Sequence, residues 1–220
     1  QQGNDVLIFS LEMARTELMA KSISRLTLDR NGSTSNAKTA RGITTGSRYK
    51  NYSQQEHEII QNAVKTYAEY AGNIYINEGI GDIGAAKIRE TVEKHISFTG
   101  KTPVVLIDYI QILMQQDTRA TDKQNIDKAV IELKRISRDF KAAVIGISSF
   151  NRQNYNQAVS MEAFKESGAI EYSSDVLIGL QLKGAGTKDF DANKAKDNET
   201  RNIELVILKN RNGATGKTLE

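Results

Sequence analysis

Short apolar runs and longer amphipathic stretches alternate along most of the chain. The apolar runs predict strands, with cores at 6–9, 74–76, 104–107, 143–147, 174–180 and 203–208. Apolar residues at helical spacing predict helices over about 14–29, 53–70, 82–96 and 126–140. This alternation indicates an α/β fold with a mostly parallel sheet flanked by helices. An antiparallel edge is expected where strands follow one another without a helix.

Three polar segments predict the connections between these elements. Residues 31–53 are rich in Gly, Ser, Thr and Asn and predict a loop, and residues 115–125 are polar throughout. Residues 183–202 are charged and nearly free of large aliphatic side chains, which is typical of a solvated hairpin loop. Ser53, with Glu56 three residues later, has the capping-box pattern that starts a helix.

The composition is that of an ordinary globular domain. With 220 residues, 39% of them hydrophobic and 26% charged, the chain can form one sizeable core, so we expect a single domain over 1–220. It has no apolar run of membrane-spanning length, no signal peptide at its start, and no cysteine for a disulfide or a thiolate metal site. These features are compatible with the cytoplasm. The net charge of +3 permits a polyanionic partner.

Polar residues follow several of the predicted strands. Glu12, Asp108, residues 148–152, and Lys209 with Arg211 all stand at C-terminal strand ends, where open α/β sheets bind ligands. If the four ends converge on one sheet edge, they form an active site. Asp108 directly follows a buried strand and could meet Mg²⁺ that carries nucleotide phosphates; the alternative is a turn or helix-capping aspartate.

Four motifs, taken together and in order, resemble a known family. Phe9-Ser-Leu-Glu-Met13, Ile107-Asp-Tyr-Ile-Gln111, Lys165-Glu-Ser-Gly-Ala-Ile-Glu171 with Asp175, and Lys209-Asn-Arg-Asn-Gly213 are similar to those of bacterial replicative DNA helicases of the DnaB type. The resemblance covers nearly the whole chain. It implies a RecA-like P-loop NTPase core that hydrolyses ATP with Mg²⁺ between the subunits of a hexameric ring. It also implies translocation on single-stranded DNA, duplex unwinding, and primase and a helicase loader as partners.

The same resemblance implies roles for the strand-end residues. Glu12 resembles the catalytic glutamate that polarises the attacking water, and Asp108 resembles the Walker B aspartate that holds Mg²⁺ through water. Lys209 and Arg211, two apart just beyond a strand, resemble the pair that reaches the neighbouring subunit's nucleotide, with the arginine as a finger. The alternatives are a carboxylate at a helix N-terminus for Glu12 and two solvated cations at a sheet edge for the basic pair.

A further segment resembles the DNA-contacting loop of the family. Lys165, Glu166 and Gly168 match the loop that contacts the single-stranded DNA backbone in the channel of the ring. The family usually has arginine where Lys165 stands. Lysine keeps the positive charge but lacks the planar guanidinium that can bind a phosphate through two hydrogen bonds at once. The alternative is a helix cap followed by a helix.

The chain departs from the family pattern in two places. Ser149 stands where the family usually has a glutamine that senses the γ-phosphate, and serine is too short for that reach. The family's phosphate-binding loop precedes the first strand by one helix, so we expect an N-terminally truncated piece of a longer protein that is inactive on its own. Residues 213–218 look like the end of such a loop, but Arg211 stands where its first glycine is required.

Two other functions are compatible with these residues. One is a RecA-type recombinase ATPase with the same fold, although the Ser-Leu-Glu-Met and Lys-Asn-Arg-Asn-Gly motifs are not expected together in it. The other is a degenerate, non-catalytic scaffold or loader-partner subunit, suggested by Ser149 and the missing phosphate-binding loop. His57 and His95 are expected to be surface or partly buried residues without a catalytic role.

Overall fold

A four-stranded parallel sheet forms the centre of the molecule. The computed structural model describes residues 3–28, 35–115, 117–150, 157–161, 168–197, 201–216 and 218–219. The sheet has the order β2–β1–β3–β4, with β1 at Val6–Ser10, β2 at Ile74–Glu78, β3 at Val104–Asp108 and β4 at Val144–Gly146. All three pairings are parallel, as the alternation of strands and helices predicted.

The described helices connect and cover the strands. They are α1 (Arg15–Leu26), α2 (Ala40–Thr44), α3 (Gly46–Lys50), α4 (Gln54–Ala71), α5 (Ala85–Thr99), α6 (Asp122–Phe140), α7 (Gly168–Ser173) and α8 (Ala192–Asp197). The predicted capping box is confirmed, because the Ser53 side chain accepts a hydrogen bond from the Glu56 amide and Glu56 reaches back to the Ser53 amide. None of the helices in the described part of the chain is long and apolar enough to cross a membrane.

Three later strands form a separate antiparallel sheet. Its order is β5 (Val176–Leu182), β6 (Ile203–Asn210) and β7 (Thr218–Leu219), with a register shift between Leu177 and Ile178. We predicted an antiparallel edge on a single sheet, so this part of the prediction was wrong. A hydrogen bond from the Lys183 amide to the Asn202 carbonyl extends the β5–β6 pair beyond its last strand residues.

The core lies on one face of the parallel sheet. Alternate strand residues point to the same face, and Leu7, Phe9, Val105 and Ile107 are fully buried. They belong to one cluster with apolar residues of α5 and α6, namely Ile88, Val92, Leu133 and Ile136. Ile170 and Leu177 join that cluster and connect α7 and the second sheet to it. The other face, with Ile8, Leu106 and Ile145, is less covered, and Ile145 is 50% exposed.

Two predicted loops contain helices. The segment 31–53 includes α2 and α3, and Thr39 caps α2 by accepting a hydrogen bond from the Gly42 amide. The segment 183–202 includes α8. These three helices are short and have little hydrophobic periodicity, so the polar composition of the two segments predicted loops instead of helices. His95 was also misjudged: it is buried and its Nε2 lies 3.1 Å from Asp5 Oδ2.

Candidate active site

Glu12 and Asp108 follow neighbouring strands of the parallel sheet. Ser10 and Asp108 are register partners in the β1–β3 pair, and the Leu11 amide donates to the Asp108 carbonyl at 2.9 Å. Ser10 is buried, and its hydroxyl donates to the Met13 carbonyl at 2.6 Å. These bonds fold the turn that carries Glu12 over the end of β1, where Glu12 is exposed to solvent. Glu12 and Asp108 therefore stand at the same sheet edge.

The far side of the same turn is fixed by Arg15, at the start of α1. The Arg15 amide donates to the Glu78 carboxylate, and the Arg15 guanidinium donates to the Ile76 carbonyl at 2.7 Å. Arg15 thus ties the turn to β2, while Leu11 ties it to β3. No local sequence pattern predicts this role, because Arg15 and Glu78 are 63 positions apart.

Asp108 borders a cavity of about 280 Å³. Lys21, Ser22 and Arg25 of α1 line the same cavity, together with apolar side chains of the sheet and Tyr67 of α4. The Asp108 carboxylate is half-buried, and no described residue donates a hydrogen bond to it or forms an ion pair with it. Its oxygens are therefore available to other ligands. The peptide bond between Asp108 and Tyr109 is cis.

Gln111 joins the ends of β3 and β4. Its amide nitrogen donates to the Ser148 hydroxyl at 2.8 Å and to the Ser149 carbonyl at 3.3 Å. Its amide oxygen accepts from the Ser149 backbone at 3.4 Å. The motif that carries Asp108 therefore also fixes the segment after β4, and this positioning role was not predicted. Ser149 itself is exposed.

Lys209 and Arg211 lie on the other sheet. Lys209 is still within β6, opposite Leu177, and its ammonium donates to the Glu171 carbonyl at 2.5 Å. Arg211 stands in the turn after β6 and forms an ion pair with Asp175 at 2.8 Å. The expectation that both follow the strand and share one edge with Glu12 and Asp108 was wrong, because β6 belongs to the antiparallel sheet.

Several cations surround the Asp175 carboxylate. The hydrogen bond from Lys134 has the largest effect and lowers the pKa of Asp175. Desolvation, the next largest effect, raises it, and the charges of Lys134, Arg211 and Lys209 lower it further, so the pKa lies below its ordinary value. Asp175 is therefore an anion held within a basic cluster.

The predicted DNA loop is described only at its end. Lys165 and Glu166 lie outside the described residues, and Gly168 begins α7. The amide that follows, that of Ala169, donates to the Asp127 carboxylate at 3.3 Å. Of the two interpretations of this segment, only the alternative, a helix cap followed by a helix, predicted the helix that begins at Gly168. Helix α7, which begins with Gly168, contacts Lys209 near its C-terminal end, through the Glu171 carbonyl.

Within the described residues, no three His, Cys, Asp or Glu side chains converge into a metal-binding cluster. A divalent cation at Asp108 would therefore take its remaining ligands from water or phosphate oxygens, which is how proteins usually hold Mg²⁺.

The sequence is similar to that of known proteins. The family model for the DnaB-like helicase C-terminal domain matches residues 1–219. A probable replicative DNA helicase of Trieres chinensis is 25% identical over 217 residues, which cover 96% of this chain and 43% of that protein. Replicative DNA helicase DnaB of Pasteurella multocida is 24% identical over 220 residues, which cover 96% of this chain and 42% of that protein. The chain thus spans less than half the length of these relatives.

The fold has solved counterparts. A DnaB-like replicative helicase, solved in a study of its interactions with primase, superposes with a TM-score of 0.77 at 23% identity, over 98% of this chain and 48% of that chain. A solved ATPase domain superposes with a TM-score of 0.76 at 24% identity and 98% coverage of this chain. Since the family model matches almost every residue, the chain belongs to the DnaB-like helicase C-terminal domain family and has its RecA-like fold.

Proposed function

We propose that this chain is part of the motor domain of a replicative DNA helicase, called the parent below. The parent couples ATP hydrolysis at subunit interfaces to translocation on single-stranded DNA and duplex unwinding. The observation that carries this proposal is the placement of Glu12 and Asp108 at the ends of two adjacent strands, in a chain of which the helicase family model matches residues 1–219.

Each residue of this edge has a distinct part in the proposed reaction. Asp108 holds Mg²⁺ through water, and the bound Mg²⁺ neutralises charge on the phosphates of ATP. Glu12 is exposed on a turn fixed at both ends, so it can orient a water molecule and withdraw its proton without moving the backbone. Gln111 keeps the segment after β4 beside this edge.

Lys209 and Arg211 act on the nucleotide of a neighbouring subunit in this proposal. They contact Glu171 and Asp175 in their own chain, and the Arg211 side chain is 54% exposed. The exposed guanidinium of Arg211 is not on the same sheet as Glu12 and Asp108 of its own chain. It is therefore suited to the phosphates of a neighbouring subunit's nucleotide, on which it stabilises the negative charge that develops in the reaction. This arrangement requires an oligomer, and we propose the hexameric ring.

Lys165, Glu166 and Gly168 form the proposed contact with single-stranded DNA. Exposed amides and a lysine suit phosphate contacts without sequence information. The solved relative was studied in its interactions with primase. For the parent we propose primase and a helicase loader as partners.

The phosphate-binding loop of the parent is proposed to lie outside this chain. The half-covered face of the parallel sheet and the exposed Val176, Ile178 and Leu180 of β5 leave apolar surface that further strands and helices of the parent can cover. Without that loop, the isolated chain is expected to lack ATPase activity, since backbone amides at a helix N-terminus normally hold the phosphates.

The experiment is a pair of substitutions in the parent. Glu12→Gln should lower ATP turnover by roughly 10²–10⁴-fold while nucleotide binding persists, because only proton transfer is lost. Glu17→Gln is the matched control, since Glu17 lies in the first turn of α1 and caps Ala14. Near-normal turnover in Glu12→Gln would remove Glu12 from the proposed role.

Arg211→Ala tests the oligomeric part. Loss of a finger costs on the order of 10³–10⁵-fold in turnover. Mixed with Glu12→Gln subunits, it should recover part of the activity, because some interfaces then combine an intact Glu12 with an intact Arg211. Absence of any recovery would argue against action between subunits.

The two alternative functions make different predictions. A recombinase would exchange strands instead of displacing them, so a strand-displacement assay beside a strand-exchange assay separates the two. A scaffold subunit would show no turnover in the parent. The family match favours the helicase over both.

A further inference from the structure

Asp175 is bound by two cations from different parts of the fold. Its Oδ1 pairs with Arg211 Nη1 at 2.8 Å, and its Oδ2 pairs with Lys134 Nζ of α6 at 2.5 Å. The Arg211 amide also donates to the Asp175 carbonyl at 2.9 Å. The backbone of Arg211 is therefore fixed independently of its side chain, and the guanidinium can leave the carboxylate without unravelling the turn.

The ion pair between Asp175 and Arg211 is exposed enough for Arg211 to exchange Asp175 for another anion. The side chains of Asp175 and Arg211 are 50% and 54% exposed. Exposed pairs contribute little net free energy, because water solvates the separated charges well. Lys134, whose side chain is 26% exposed, remains beside the carboxylate when Arg211 moves away.

A carboxylate and a phosphate present similar oxygens to a guanidinium. Arginine binds both through the same planar fork of N–H donors. The Asp175 carboxylate therefore occupies on Arg211 the place that a phosphate oxygen would take. Two anions cannot fill that place together.

We infer that Asp175 is a positioning residue that holds Arg211 inside its own subunit and yields it to the nucleotide phosphate of the neighbouring subunit. Lys134 keeps the Asp175 carboxylate paired after Arg211 has moved to the phosphate, and so favours the release of Arg211. This inference rests on the proposed role of Arg211 as a finger between subunits.

The neighbouring lysine is docked on the same short segment. The Lys209 ammonium donates to the carbonyl of Glu171, four positions before Asp175. Both cations of the basic pair are thus held by residues 171–175, which form the end of α7 and the start of its connection to β5. The segment that releases Arg211 is continuous with the helix that follows the proposed DNA loop.

The test measures nucleotide affinity in the full-length ring, by fluorescence anisotropy of a labelled, slowly hydrolysed ATP analogue. Asp175→Asn should tighten binding about two- to fivefold, the range for loss of one exposed competing ion pair. Lys134→Met should weaken binding by a similar factor, because Asp175 then holds Arg211 more strongly. A merely structural role would move both variants in the same direction.

Two further variants complete the test. In the Arg211→Ala background, Asp175→Asn should have no effect on affinity. Asp139→Asn is the matched control. Asp139 is 53% exposed and forms an ion pair of 2.8 Å with Arg89, which is not part of this segment. The affinity of this variant for the nucleotide should equal that of the unmodified ring.

The outcomes separate the inference from the function on which it rests. Shifts of equal sign in Asp175→Asn and Lys134→Met, no shift in Lys134→Met, or an Asp175→Asn effect that persists without Arg211 would overturn the inference alone. Normal turnover in Arg211→Ala would overturn both the finger and its release from Asp175.

Discussion

A buried contact between a carboxylate and an imidazole, at the N-terminal end of the parallel sheet, offers a test of the fold. Asp5, directly before β1, is only 3% exposed. Its Oδ2 lies 3.1 Å from His95 Nε2 of α5, and its Oδ1 lies 3.4 Å from the largely exposed Lys101 ammonium. The Tyr75 ring packs edge-on against His95 at 4.8 Å between ring centroids. His95 is thus the only buried described partner of this carboxylate.

Replacing His95 by alanine should destabilise the chain strongly. The substitution leaves the buried Asp5 carboxylate with the largely exposed Lys101 as its one described side-chain partner, and removing the buried partner of such a carboxylate costs about 3–5 kcal/mol. Asp5→Asn instead removes the charge and keeps a hydrogen-bonding group beside the imidazole. Its expected cost is about 1 kcal/mol, the net value of an ordinary hydrogen bond.

Urea unfolding followed by circular dichroism measures both losses. With a dependence of about 2–3 kcal/mol per molar urea for a chain of this size, His95→Ala should lower the midpoint by about 1–2 M. His57→Ala is the control: His57 packs against the Tyr49 ring at 4.5 Å and has no buried carboxylate. Its expected loss is about 1 kcal/mol. If Asp5→Asn costs as much as His95→Ala, the uncompensated charge is not the cause.

Two further predictions concern the segment before and at the start of α4. The hydrogen bond from Lys38 is the largest of the effects that lower the pKa of Glu56 to about 2, from an ordinary value of 4.5. Glu56 therefore stabilises the fold above pH 4.5, and this contribution is lost as the pH falls towards 2. In acid unfolding, the difference in the free energy of unfolding between the unmodified chain and Glu56→Gln should disappear over that pH range. Gly42→Ala should cost about 1–3 kcal/mol, because the new Cβ would lie 2.4 Å from the Tyr52 hydroxyl. Gly46→Ala, with no atom within 4 Å, should be neutral or stabilising by about 0.4–1 kcal/mol; an equal loss in both variants would rule out the clash.

Hydrophobic periodicity predicted the elements that build the core. The strands at 6–9 and 104–107 and the helix at 126–140 all appear within a few residues of the predicted bounds. Each has a strong local signal: a short aliphatic run, or apolar residues at helical spacing with a capping residue before them. The strand-end positions of Glu12 and Asp108 followed from the same signals.

Contacts between distant residues were not predictable in this way. The amide of Gln111 meets Ser148, 37 positions away, and His95 meets Asp5, 90 positions away. Neither partner carries a local pattern, because glutamine or histidine on an amphipathic element is equally compatible with solvent. Only the folded chain shows that these side chains are paired.

The separation into two sheets changes how the proposed site works. If Arg211 shared one sheet edge with Glu12 and Asp108, a single subunit could contain all three proposed reacting groups. In the structure, Glu12 and Asp108 stand at the end of the parallel sheet, whereas Arg211 follows a strand of the antiparallel sheet and forms an ion pair with Asp175. If Arg211 is the proposed finger, its position on a different sheet and its exposure to solvent favour action on another subunit. Complementation between Glu12→Gln and Arg211→Ala subunits is therefore a test of the sheet arrangement as well as of the mechanism.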